Sequence, residues 1–105
     1  MKMPHRGEVW WVEVPDAGQR PALVMTRDAA IPLLNHLIVA PATRTIRSIP
    51  TEVILDATDG MPAECVLSLD NLAVVPKSSL NRQVTTLTSA RMADVCAALK
   101  VAVAC

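Results

Sequence analysis

Short apolar runs, each followed by a turn signal, recur along this chain and constrain its fold more than any other feature. The runs cover residues 7–14, 22–26, 36–41, 51–55, 64–70 and 72–75. They are rich in strand-forming residues and are separated by Pro, Gly, Asp and Asn, which is typical of strands joined by turns. This spacing indicates a mainly β fold, a compact barrel or sandwich, and does not fit alternating βαβ units. Residues 77–86 fit a turn followed by a last short strand.

The C-terminal segment has a helical period instead. Thr88 can cap a helix that begins near Ser89, because a threonine hydroxyl can accept from the first free backbone N–H groups. Apolar side chains then recur every three or four positions and form one stripe. The stripe consists of Met92, Val95, Cys96, Leu99 and Val103. We expect the helix to lie on the barrel or against a second copy of the chain.

The composition indicates one domain, residues 1–105, that associates with itself. Hydrophobic residues make up 51% of the chain and charged residues only 19%, so a monomer this small should expose apolar surface. The formal net charge is zero, which removes the long-range signature of a general nucleic-acid binder. In the first strand, Trp10 and Trp11 face opposite ways, so we expect one to be buried for packing and the other half exposed.

The charges are segregated along the chain. Residues 17–51 contain four arginines and one acid, whereas residues 52–76 contain five acids and no base. This pattern predicts either a basic groove on one face or opposite charges paired between neighbouring strands.

Cysteine and histidine usage favours a reduced, cytoplasmic protein without a metal. Cys65, Cys96 and Cys105 follow no signal peptide and have no metal-binding spacing, and His5 and His36 are far apart. Cys96 is expected to be a small core residue. The apolar tail at residues 95–105 is too short to span a bilayer.

One arginine stands at the start of an apolar run. Pro21 disfavours helical geometry at Arg20, so the guanidinium should be held at the edge of a strand, a placement that suits phosphate recognition. An ion pair with a surface carboxylate would explain the same arginine equally well.

Several segments together resemble the MazF/PemK family of toxin–antitoxin ribonucleases. They are RGEVW at residues 6–10, QRP at 19–21 before an apolar strand, PTEV at 50–53 after a polar loop, and the C-terminal amphipathic helix. The resemblance implies an SH3-like β-barrel of the MazF/CcdB type and a homodimer. It further implies metal-independent cleavage of single-stranded RNA (mRNA, or alternatively tRNA or rRNA) to 2′,3′-cyclic phosphate and 5′-hydroxyl ends, no cofactor, and inhibition by a MazE-like antitoxin.

The resemblance also implies site residues. It places the catalytic arginine at Arg20 and the catalytic threonine at Thr51, and it matches an acid late in the fifth strand with Asp70. The residues expected to bind RNA are Gln19, Arg27, Thr43, Arg44, Arg47 and Ser48. The first hairpin loop is shorter than is usual in the family and lacks its glutamate, and Gln19 stands where some members have histidine. The general acid and base are therefore not evident.

Two other functions fit parts of the sequence. The same fold houses toxins that bind DNA gyrase without a nuclease site, and a plain interaction module would need only the apolar fraction and a basic patch. Arg20 together with Thr51 favours the ribonuclease. Because the chain has no Phe, no Tyr and two Trp, RNA recognition should depend on hydrogen bonds from residues 15–19 and 42–50.

Overall fold

A computed structural model describes residues 3–105 of the chain. These residues form seven strands and one α-helix, with single 3₁₀ turns at Ile31–Leu33, Ala57–Asp59 and Lys77–Ser79. The strands are β1 (Glu8–Val14), β2 (Gly18–Val24), β3 (His36–Thr43), β4 (Glu52–Leu55), β5 (Cys65–Ser68), β6 (Ala73–Pro76) and β7 (Leu80–Thr86). The helix, α1, is Ser89–Val103.

The strands pair antiparallel in the order β4-β5-β3-β2-β1-β7, and β6 pairs with β3. β3 is the central strand, because β2 lies along it at residues 39–41, β6 at residues 36–39 and β5 at residues 42–43. The predicted mainly β fold is confirmed. No pairing joins β4 to β7 among residues 3–105, so the barrel is open between these two strands.

Apolar side chains pack on both faces of the sheet. Alternation along β1 puts Val9 in one core and Trp10 and Val12 in the other. Trp10 is 6% exposed and Trp11 is partly exposed, which confirms the expectation for the two tryptophans. The hydrophobic effect of burying each valine or leucine side chain contributes about 1.5 to 3 kcal/mol to folding.

Helix α1 covers the first of these cores. The Thr88 hydroxyl accepts from the backbone N–H of Arg91 at 3.2 Å, which confirms the predicted cap. Val95 and Ala98 are buried, and Met92, Leu99 and Ala102 pack around them. The predicted stripe was wrong at its end, because Val103 lies in the last turn and is 51% exposed. Among residues 3–105 no helix has the length and apolar character needed to cross a bilayer.

The boundaries of three predicted strands, β2, β4 and β5, were wrong. β2 begins at Gly18, four residues before the predicted start, because Pro21 is accepted in a strand when no ladder N–H is required at its position. Thr51 lies in a turn and β4 begins one residue later, while β5 ends at Ser68, so Asp70 lies in the following turn.

A short acidic turn joins β4 to β5. The Asp56 carboxylate accepts from the Thr58 hydroxyl at 2.6 Å and from the Thr58 N–H at 2.9 Å, and these bonds lower the pKa of Asp56. The turn ends at Gly60, which has φ +88°, and a Cβ atom there would lie 2.9 Å from the Cβ of Thr85. The Thr85 hydroxyl donates to the carbonyl of Asp59 at 2.9 Å, so the turn is fixed to β7.

Arg91 connects α1 to this turn and to β4. Its Nε donates to Asp59 Oδ1 at 2.9 Å, its Nη1 donates to Asp94 at 2.9 Å, and its Nη2 donates to the carbonyl of Ile54. Burial alone would lower the pKa of Arg91, but the hydrogen bonds to Asp59 raise it. The helix is thereby held over the β4 end of the sheet by a partly buried, hydrogen-bonded ion pair.

Candidate functional site

A groove of about 500 Å³ lies where the β1–β2 hairpin, the end of β3 and the turn after β5 meet. Four of the predicted site residues line it: Arg20, Thr43, Arg47 and Asp70. Ser68 and Asn71 line it as well, and the Asn71 side-chain amide donates to the Ser68 hydroxyl at 3.3 Å. The groove therefore combines two guanidinium groups, one carboxylate and several hydrogen-bonding side chains.

Arg20 is positioned by the hairpin. The chain turns through residues 15–17, with Gly18 at φ +75° and paired with Val14. Arg20 pairs with Val12 across the strands, and its Nε donates to the carbonyl of Ala17 at 3.1 Å. Within residues 3–105 its two terminal nitrogens make no hydrogen bond or ion pair, so they can donate together to two oxygens of a phosphate. The extended geometry expected before Pro21 is present.

Thr51 and Asp70 are joined directly. The Thr51 hydroxyl donates to Asp70 Oδ2 at 2.6 Å, and the backbone N–H of Leu69 donates to the carbonyl of Thr51 at 2.9 Å. The pairing of β4 with β5 brings the two turns together. Asp70 is exposed and lines the groove, so its second carboxylate oxygen, which has no partner among residues 3–105, remains available to a ligand.

The polar loop between β3 and β4 carries Arg47. Its side chain is 58% exposed, and its Nη1 lies 4.0 Å from Oε2 of Glu52. The basic-groove interpretation of the charge segregation therefore holds in part, whereas the contact of Arg47 with Glu52 joins a loop to a strand and not two neighbouring strands. Arg20 and Arg47 give the groove a basic character, while Arg47 also faces an acid from the following strand.

A second groove, of about 440 Å³, lies on the other side of Arg20 and Thr43. Two more predicted residues, Gln19 and Arg44, line it. Its other walls are mainly apolar and include Trp11, Met61, Pro62 and Cys65. Burial, and secondarily the charge of Asp59, raise the pKa of the Cys65 thiol, which keeps this thiol in its neutral form.

Three predicted residues line neither groove. Thr51 is connected to the first groove through its hydrogen bond to Asp70. Ser48 has φ +55° and lines a third groove, between β4 and α1. Arg27 follows the C-terminal end of β2, whereas Arg20 lies near the N-terminal end of this strand. Conversely, sequence reasoning did not single out Asn71, although a second polar residue directly after Asp70 could have indicated it. The residues described here include no group of three His, Cys, Asp or Glu side chains that could hold a metal ion.

The open barrel with its single C-terminal helix and its arginine-lined groove defines a small β protein suited to binding a phosphate-bearing ligand. A family model described as "PemK-like, MazF-like toxin of type II toxin-antitoxin system" matches residues 5–103. The chain belongs to this toxin family, as the sequence motifs predicted.

Individual relatives agree with this assignment. The chain is 43% identical over 104 residues to "Probable endoribonuclease MazF5" of Mycobacterium tuberculosis, covering 98% of this chain and 95% of the relative. The solved structure of "Mycobacterium tuberculosis toxin MazF-mt6" matches with a TM-score of 0.86 and 31% identity, over 92% of this chain and 96% of that one. An "Endoribonuclease in complex with its cognate antitoxin from Mycobacterial species" matches with a TM-score of 0.86 and 26% identity, over 96% and 95% of the two chains.

Proposed function

We propose that this endoribonuclease toxin of a type II toxin–antitoxin system cleaves single-stranded RNA at short sequences without a metal ion, leaving 2′,3′-cyclic phosphate and 5′-hydroxyl ends. The observation that carries the proposal is that Arg20 and Asp70 line the same groove. The Thr51 hydroxyl is hydrogen-bonded to Asp70 and is thereby close to this groove. The gyrase-binding and interaction-module alternatives are not favoured, because the curated relatives are named endoribonucleases.

The reaction needs a base and a group that stabilises negative charge. The ribose 2′-oxygen attacks the neighbouring phosphorus, and its proton passes to the free carboxylate oxygen of Asp70. Arg20 donates to the non-bridging oxygens and stabilises the charge that develops on the phosphorane. The P–O5′ bond then breaks, and the 5′-oxygen takes a proton from water. A guanidinium has a pKa above about 12, so we assign Arg20 charge stabilisation and not proton donation.

The hydrogen bond between Thr51 and Asp70 suggests a role for the Thr51 hydroxyl. In the free protein its hydroxyl donates to Asp70 and so fixes the direction of that carboxylate. When Asp70 accepts the substrate proton, the Thr51 hydroxyl is released and can donate to a phosphate oxygen. The two residues thus act in sequence on one scissile phosphate.

RNA recognition is assigned to the two loops beside the catalytic groups. Arg47 and Thr43 would contact the chain in the first groove, while Gln19 and Arg44 would contact it in the second. Ser48 and Arg27 would reach only RNA that extends beyond these grooves. Exchange of residues 15–19 and 42–50 for those of a relative should change the cleaved sequence, and an unchanged sequence would refute this assignment.

The experiment on the reaction uses a mixed-sequence pool of single-stranded RNA. Cleavage should continue in EDTA, and the new 3′ ends should be cyclic phosphates that acid converts to 2′- and 3′-phosphates. Substitution of deoxyribose at the cleaved positions should abolish cleavage, because the nucleophile is then missing. Cleavage of the deoxy substrate, or complete inhibition by EDTA, would exclude the proposed chemistry.

We infer that the toxin is a homodimer in the cytoplasm. Its surface exposes large apolar side chains that water solvates poorly, among them Leu33 (84% exposed), Val74 (61%) and Val101 (56%). Burial of such side chains against a second copy would lower the free energy of the assembly. Sedimentation at micromolar concentration should show the dimer mass, and a monomer alone would contradict the inference.

The cognate antitoxin is proposed to bind across the first groove. A related endoribonuclease is solved in complex with its cognate antitoxin. A flexible acidic segment could place carboxylates where RNA phosphates bind, near Arg20 and Arg47, and fold as it binds. Such a segment should compete with the RNA pool, so simultaneous binding of both would contradict this arrangement.

A further inference from the structure

Glu52 is an acid of β4 with a buried side chain, and among the described residues its carboxylate is hydrogen-bonded or ion-paired only with Arg47. Its side chain is 1% exposed. Oε1 accepts from the backbone N–H of Arg47 at 2.9 Å, and Oε2 lies 4.0 Å from the guanidinium Nη1 of the same arginine. Among the described residues, Oε2 is the one buried side-chain oxygen or nitrogen without a hydrogen bond.

The loop that Glu52 contacts has an unusual backbone. Ser48 has φ +55°, and the N–H of Glu52 donates to the carbonyl of Ile49 at 3.0 Å, with Pro50 in the turn between them. A positive φ at a serine is disfavoured and persists only where other contacts hold it. The carboxylate of Glu52 supplies such a contact, because it accepts from the backbone N–H of Arg47, the residue before Ser48.

Burial makes this contact hard to break. A buried carboxylate without a charged or hydrogen-bonded partner is strongly destabilising. If the loop moved away, both oxygens of Glu52 would lose Arg47, so the loop is held in place in the absence of a ligand. The 4.0 Å separation is longer than a hydrogen bond, so the exposed guanidinium keeps its N–H groups for the groove.

We propose that Glu52 is a positioning residue that holds the loop carrying Arg47, so that this guanidinium already faces the groove before RNA binds. The proposal rests on the proposed function, in which Arg47 contacts the RNA backbone. Preorganisation lowers the entropic cost of binding. Loss of Glu52 should therefore weaken binding of RNA and leave the chemical step unchanged.

The test is a double-mutant cycle of Glu52→Ala with Arg47→Ala, measured on the mixed-sequence RNA pool. Glu52→Ala should raise KM by about tenfold, the equivalent of one hydrogen bond to a charged group, with kcat unchanged. In the Arg47→Ala background the same change should raise KM by clearly less, because the part of the effect that Glu52 exerts through the Arg47 guanidinium is already lost. Additive effects, or a fall in kcat alone, would overturn the proposal.

Two further variants separate positioning from stability. Glu52→Gln keeps an acceptor for the Arg47 N–H but removes the charge, so the Arg47 amide should stay protected from hydrogen exchange while its proton resonance moves upfield. Glu8→Gln is the matched control, because Glu8 is also buried and accepts from the His5 N–H at 2.8 Å and from Trp10 Nε1 at 3.0 Å. It should lower stability without changing KM or the Arg47 resonance.

The amide measurements need no substrate. If the wild-type protein failed to cleave RNA, the proposed function would be wrong. The effect of Glu52 on the Arg47 amide could still be measured in that case. If the Arg47 amide resonance did not move in Glu52→Gln, or if the Arg47 amide kept its full protection from hydrogen exchange in folded Glu52→Ala, the positioning role would fail whatever the activity.

Discussion

Replacement of Arg20 by alanine should greatly lower the rate of cleavage and lower the stability of the fold only slightly. Among residues 3–105 the guanidinium makes one hydrogen bond, from Nε to the carbonyl of Ala17 at 3.1 Å in an exposed hairpin. Loss of that bond should lower the free energy of unfolding by about 1 kcal/mol. Loss of the charge that stabilises the phosphorane should raise the barrier by about 3 kcal/mol or more, which is on the order of a hundredfold in rate.

A lysine at this position should recover little of the lost activity. Its ammonium is a point charge and cannot donate in parallel to two phosphate oxygens, as the free end of the guanidinium can. Single-turnover cleavage of the RNA pool in EDTA gives the rate, and thermal melts of the same samples give the stability. Lys100→Ala, which removes one positive charge from α1 outside the first two grooves, is the control for net charge.

Two results would refute this reasoning. Folded Arg20→Ala with full activity would show that the guanidinium takes no part in the reaction. A variant in which activity falls only in proportion to the unfolded fraction would show that Arg20 is a structural residue of the hairpin.

Three other variants test separate features. Thr51→Val removes the 2.6 Å hydrogen bond to Asp70 and should slow cleavage by about tenfold to a hundredfold in single-turnover assays, less than Arg20→Ala. Gly60→Ala should lower the free energy of unfolding in urea by about 1 to 3 kcal/mol, and by more than Gly18→Ala, because a Cβ at Gly18 meets no atom within 4 Å. Hydrogen bonds lower the pKa of Asp56 below its ordinary value of 3.8, so its ionised form stabilises the fold above that pH and the effect is lost as pH falls through the lowered pKa. Urea titrations of Asp56→Asn and wild type should therefore differ at neutral pH and converge in acid.

The sequence predicted the elements well where the signal was local. The strands in the first half of the chain and the Thr88 cap follow from alternation and from side-chain chemistry over a few residues. The start of β2 was placed too late because Pro21 suggested a boundary. Pro21 pairs with Trp11 of β1, and this pairing continues the strand through the proline. The pairing depends on the partner strand, so a rule based on neighbouring residues does not predict it.

The candidate site was harder to predict from the sequence, because its residues are distant from one another along the chain. The hydrogen bond between Thr51 and Asp70 spans a whole strand pair, and only the family resemblance indicated either residue. The second groove is built from β1, β2, the β3–β4 loop and residues 61–65, an assembly that hydrophobic periodicity does not reveal. Glu52 was noticed only as part of a motif, since its burial depends on how the loop before it folds back.

The pairing of β1 with β7 limits the order in which the fold can form during synthesis. Glu8 pairs with Thr86, so one edge of β1 has no partner until almost the whole described chain has left the ribosome. Such distant pairings form slowly, because a long loop must close before any contact is gained. The hairpin that presents Arg20 shares β1 with this late pair. The edge of β1 beside this hairpin is therefore expected to gain its partner only after β7 has been synthesised, which gives an antitoxin already present time to meet the folding chain.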